Sequence, residues 1–208
     1  DTVDEALPPD PQEVSARDKG GNAKTVLLSR QRLGDDMLVA FIDITARKAA
    51  EEKVRELSQA IEQSPEAIVI TDLEANIQYV NDAFVASSGF SREELLGQNP
   101  RLQRSGRTSP ATYAELWARL TQGQAWRGEL INQRKDGTEY TEFAIISPMR
   151  DENGRTTHYV AVKQDVTEKK RLTEELDRHR HHLQQLVDER THELGIAKTQ
   201  AEAASVAK

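Results

Sequence analysis

A chain of 208 residues is enough for one or two domains, and 37% apolar against 30% charged residues is too polar for one core spanning its length. A formal net charge of −7 favours no nucleic acid, and the absence of cysteine excludes disulfides, thiolate metal sites and any cysteine nucleophile or photochemical adduct. No apolar run approaches the ~18 residues of a membrane span, and no stretch reads as a signal peptide. Asp1 in place of an initiator Met reads as a cytoplasmic piece of something longer.

Residues 1–23 hold three of the seven prolines and no periodicity, and read as loop or tail. Two β-like runs follow, residues 24–32 and 36–44, turning at Leu33-Gly34-Asp35. The second closes on Asp43-Ile44-Thr45-Ala46-Arg47-Lys48. That ending recurs as Asp165-Val166-Thr167-Glu168-Lys169-Lys170, after the β-like run 157–164. Each copy leads into a charged, helix-favouring stretch that Asp or Thr can cap. The repeat implies the tail of one domain followed by a complete second one. The expected division is 1–48 for tail and last strands, 49–64 for a linker helix, 65–167 for the domain and 168–208 for a C-terminal helix.

In the linker, Ala50, Val54, Leu57 and Ile61 step by 4, 3, 4. In the last segment, Leu172, Leu176, His179, Leu183 and Leu186 step by 4, 3, 4, 3, then 4, 4 through Arg190 to Leu194. These stripes predict dimeric coiled coils, with a stutter at Arg190 that locally unwinds the second. Both helices are too polar to be held by a core of their own.

Between them, residues 67–71 and 77–80 read as a hairpin-like pair of strands. Residues 81–88 and 92–96 read as short helices, with Ser91 as a cap, and 99–108 as polar loop. Residues 109–122 read as an amphipathic helix with Ser109 as cap and Pro110 at its first position. Residues 126–134, 139–149 and 157–164 are β-like, joined at Lys135-Asp136-Gly137-Thr138 and Asp151-Glu152-Asn153-Gly154. Two strands, helices, then three strands predict an α+β fold: a five-stranded antiparallel sheet with helices on one face.

That order resembles the PAS fold, and local motifs carry the likeness. They are Ile70-Thr71-Asp72, Asn76 through Phe84, Ser88 through Gly97, Arg134-Lys135-Asp136-Gly137-Thr138 and Asp165-Val166-Thr167. Residues 24–48 resemble the last two strands of a preceding PAS domain. The segment from Val187 to Lys208 resembles the helix ahead of the phosphoacceptor helices of hybrid sensor histidine kinases. Linkers to diguanylate cyclases look similar.

PAS domains bind ligands between the sheet and its helices, and many bind none. Asn99 and Arg101 resemble the pocket loop of light-oxygen-voltage domains. Asn132 matches an asparagine that bonds the flavin ring edge there, a task for which a carboxamide has both donor and acceptor. Trp117 matches a tryptophan near the ring in the flavin redox sensor of nitrogen fixation. Three positions depart from the pattern. Pro100 stands for the photoactive cysteine of the light sensors and for a glutamate of the nitrogen-fixation sensor. Glu142 stands for a second ring-binding asparagine. Lys163 stands for the last-strand glutamine.

Simpler roles are also open. Trp117 and Trp126 can be core aromatics, Asn132 a satisfied strand residue, and Asn99 a loop residue bonding its own backbone. Arg101, Arg104 and Arg107 can be a solvated face, or one can meet a cofactor phosphate. His179, His181 and His182 point apart on a helix and suggest no metal site. Glu129, Glu139 and Glu142 make no catalytic pair, so no enzyme is expected here.

The resemblance implies a redox- or oxygen-responsive module holding FAD, or less readily FMN, in a parallel homodimeric sensor kinase. Asp165, Thr167 and Arg190 would carry the signal to the kinase domain. The alternatives are a ligand-free dimerising relay and control of a diguanylate cyclase.

Overall fold

The computed structural model describes residues 11–206, in two compact units, 11–63 and 64–206. The first holds three antiparallel strands in the order β1 (Gln12–Arg17), β2 (Ala23–Leu33), β3 (Asp36–Asp43), followed by helix α1 (Thr45–Glu62). β1 corrects the expectation of a structureless tail. Its six residues offer only Val14 and Ala16 as apolar alternates, and it is held by main-chain pairing to β2, from Gln12 opposite Leu28 to Arg17 opposite Ala23. On α1, Val54, Leu57 and Ile61 are all exposed.

The second unit contains β4 (Ala67–Thr71), β5 (Ile77–Val80), α2 (Asp82–Ser88), α3 (Arg92–Leu95), α4 (Pro110–Thr121), β6 (Trp126–Gln133), β7 (Glu139–Arg150), β8 (Thr156–Asp165) and α5 (Thr167–Val206). Its five strands form one antiparallel sheet in the order β5-β4-β8-β7-β6. Period-2 alternation turns Val69, Leu130, Ala144 and Ala161 into the core, while Ile145 and Val162 on the opposite face are exposed. Trp126 is buried, as its packing role required, and its indole lies where a Cβ on Gly128 would come within 2.4 Å, so only glycine fits there.

The helix starts follow their caps. The side chains of Asn81 and Ser109 accept from the amides of Phe84 and Thr112, and Ser91 forms a capping box with Glu94. Gly89 ends α2 at φ +76°, in the left-handed region that suits glycine. Residues 99–108 are not loop throughout. Pro100–Gln103 form a 3-10 turn, because Pro100 fixes φ and the Asn99 carboxamide accepts from the Arg101 amide at 3.1 Å.

The sequence repeat is also a geometric one. Thr45 accepts from the Thr25 amide at 2.9 Å, and Thr167 from the Thr141 amide at 2.8 Å. The Asp43 and Asp165 carboxylates each accept from the threonine amide two residues on, at 2.9 Å. Ile44 and Val166 are buried between them. The Thr45 hydroxyl and amide, with Lys24, hold the Asp43 carboxyl down at about 2. Each copy therefore pins a strand end to the first turn of a helix. α5 then runs unbroken through Arg190, with Leu172, Leu176, Leu183, Leu186 and Leu194 exposed along it.

Candidate ligand cavity and its link to the C-terminal helix

A cavity lies between the inner face of the sheet, α4 and the turn that carries Asn99. It encloses about 100 Å³ within an empty volume of about 710 Å³ that opens to solvent. Asn99, Arg101, Trp117, Asn132 and Lys163 line it, together with Arg104. Its walls are otherwise mostly apolar or aromatic, including Leu116, Leu130, Ile146 and Tyr159. Trp117 is 37% exposed and meets Tyr159 edge-on, their ring centres 6.0 Å apart. Arg104 lies 3.9 Å over the Tyr113 ring, and Arg107 pairs with Glu139 at 3.2 Å instead.

Glu142 does not line the cavity. It stands behind Lys163, whose ammonium donates to its carboxylate at 2.7 Å, both side chains being buried. The other carboxylate oxygen accepts from the Tyr140 hydroxyl at 3.4 Å, and that hydroxyl accepts from the Gln103 amide at 3.4 Å. The Gln103 carbonyl oxygen is buried with no partner. Burial, then the neighbouring Glu142 charge, pushes the Tyr140 hydroxyl's pKa well above its usual value, so it stays a donor. Strand period explains this gathering: Leu130 and Asn132, Tyr140 and Glu142, Ala161 and Lys163 all point inward.

Sequence reasoning passed over Gln103, Tyr140, Tyr113 and Tyr159, and gave Arg134 only as part of a family motif. Tyr140 could have been found from its period-2 spacing to Glu142. Arg134 donates to the Ser87 carbonyl, stacks 4.3 Å over the Tyr140 ring, and reaches Asp165 at 2.5 Å. It thus joins the cavity's polar chain to the first turn of α5. Burial works to raise the Asp165 pKa, but the Thr167 hydroxyl and amide and the Arg134 guanidinium outweigh it and hold it below the usual value. Such a group stabilises the fold fully above its unfolded pKa, near 4, and loses that contribution as pH falls through the lower folded value. The stability lost by Asp165→Asn, read from urea midpoints, is therefore expected to be full at neutral pH and to shrink in acid below about pH 4. A pH-independent difference would contradict this.

The donor set suits a flavin ring edge. Asn132 brings a carboxamide and Lys163 an amine side chain to walls fit to pack a flat aromatic system, while the Asn99 carboxamide bonds the Arg101 amide and the Glu74 carbonyl, the loop role also open to it. If Asn132, which is 4% exposed, bonds such an edge, Asn132→Ala is expected to weaken flavin affinity roughly ten- to hundredfold. Titration of the ligand-free protein with FAD measures this, and equal affinity would remove Asn132 from the site.

The PAS fold model matches residues 55–166, just over half of the chain. The chain belongs to the PAS family. Among curated proteins it is 43% identical over 119 residues to the nitrogen fixation regulatory protein of Klebsiella oxytoca, covering 57% of this chain and 24% of that one. It is 35% identical over 98 residues to the aerotaxis receptor of Escherichia coli, covering 47% and 19%. Among solved structures, an RNA-binding light-oxygen-voltage receptor superposes with a TM-score of 0.57 at 25% identity, covering 78% of this chain and 45% of that one. The chain thus spans a quarter or less of the length of these curated relatives. No described helix is long and apolar enough to cross a membrane.

Proposed function

We propose that residues 64–206 form a flavin-binding, redox- or oxygen-responsive sensory module, with FAD as the cofactor. The observation that carries the reading is the cavity wall, where Asn132 and Lys163 lie among apolar and aromatic side chains. Similarity to a nitrogen fixation regulatory protein and to an aerotaxis receptor supports an oxygen-linked signal. The cofactor supplies the redox chemistry, and the protein's part is to bind it, orient it and respond. Acid release of the bound chromophore and its chromatographic identification distinguish FAD from FMN. Release of neither, after reconstitution with both, leaves the ligand-free relay as the better reading.

The output half of the proposal is a parallel homodimer that passes the signal to a downstream histidine kinase in a cytoplasmic part of the parent. The exposed leucines of α5 support it, since a stripe of that period is covered when two helices coil together. Asp165 and Thr167, tied to both the sheet and α5, are suited to relay movement. At the stutter, two helix registers lie close in energy, and like charges at Arg190 weaken the seam. Arg190→Leu is expected to tighten the dimer and bias the parent's autophosphorylation toward one state, with and without oxygen. A variant that responds as the parent does would reduce this helix to a spacer.

A further inference from the structure

Among the described residues, Glu142 and Lys163 are the only charged residues that are buried. Most other buried polar groups have local duties: Asn81 caps α2, and Ser88 bonds the carbonyl of Val85. The pair has no such duty. An ion pair in a core is often no more stable than apolar residues of the same volume. Its position is also lopsided. Lys163 is one of the residues that line the cavity, while Glu142 is behind it, its carboxylate held by Tyr140, which in turn accepts from Gln103. Lys163 has three N–H donors, and Glu142 takes one of them at 2.7 Å.

A neutral ligand edge rich in carbonyl oxygens meets at this wall a cation whose charge is already balanced. It can bind without stranding a charge. If that edge gains negative charge on reduction, the ammonium stabilises it and Glu142 opposes it. The two residues therefore act with opposite signs on one quantity.

We propose that Lys163 recognises an electron-accepting heteroaromatic ligand by its carbonyl edge and sets its reduction potential, with Glu142, Tyr140 and Gln103 as positioning residues. The choice of flavin as that ligand rests on the function proposed above. The fold itself does not require the pair.

Two measurements test this. The first needs no ligand: the thermal midpoint of the apoprotein is compared between the parent and the double variant Lys163→Met/Glu142→Leu. A midpoint equal to or above the parent's is expected, and a clear fall makes the pair a structural staple and overturns the inference. The second is FAD titration followed by spectroelectrochemistry, in which the electrode supplies the electrons through a mediator dye and water supplies the proton. Lys163→Met is expected to weaken FAD binding roughly tenfold and make the potential more negative, and Glu142→Gln to make it more positive. Potentials that do not move, or move in the same direction, overturn the inference even where FAD binds. A parent that takes up no FAD, beside a double variant as stable as the parent, sinks the flavin reading. It leaves the wall a recognition device for another acceptor edge.

Discussion

Asn81→Ala is expected to cost the domain a large part of its stability. The Asn81 side chain is fully buried and makes three hydrogen bonds: its oxygen accepts from the amides of Ile68 at 2.8 Å and Phe84 at 3.0 Å, and its nitrogen donates to the Glu66 carbonyl at 2.9 Å. One side chain thereby ties the start of β4 to the first turn of α2. Alanine strands these main-chain groups away from water, at about 1–3 kcal/mol each. Such losses are not additive, so a fall of about 4 kcal/mol is expected, against a total of about 5–15 kcal/mol for a domain. In thermal unfolding this is a drop on the order of 20 °C. Asn81→Asp keeps both acceptor bonds and should fall less. A loss under about 1 kcal/mol for the alanine variant would show that the two elements are held otherwise.

Glu142→Leu is the second large effect. It leaves the Lys163 ammonium buried without its counter-ion, 5.5 Å from the Phe84 ring centre, and removes the acceptor of the Tyr140 hydroxyl. Breaking one partner of such a pair costs about 3–5 kcal/mol. Chemical denaturation of the ligand-free protein measures it. Adding Lys163→Met should recover the whole loss, because the stranded charge is then gone. If the single and double variants unfold at the same denaturant concentration, the damage comes from packing and not from charge.

The parts of the fold written in local chemistry were legible in the sequence. Ser91 and Ser109 are caps because a short polar side chain ahead of an apolar-periodic run can do little else, and Asn81, read as the first residue of its helix, caps it instead. The Asp-x-Thr repeat announced two strand-to-helix junctions, and both have the same hydrogen bonds. β1 was missed because its stability lies in pairing with β2, which no pattern within six residues can report. The turn at Pro100–Gln103 had its signals in plain view, in the cap and the proline.

The cavity was only partly legible. Asn99, Arg101, Trp117, Asn132 and Lys163 do converge on it. That Glu142 would turn to Lys163 was not readable, because their meeting depends on how β7 and β8 are registered. Glu142 stands opposite Asp165 and Lys163 opposite Ala144, so the two reach each other diagonally across the sheet. Arg134 was hidden for the same reason, since Ser87, Tyr140 and Asp165 come from three separate elements.

The central claim is that this cavity holds a flavin that responds to redox conditions. The most direct measurement is the visible absorption spectrum of the purified protein, reconstituted with FAD, recorded in air, after dithionite, and in air again. The visible band of an oxidised flavin should co-elute with the protein, bleach on reduction and return with oxygen. A reconstituted protein that elutes with no visible band, and with Asn132, Trp117 and Lys163 intact, would contradict the account.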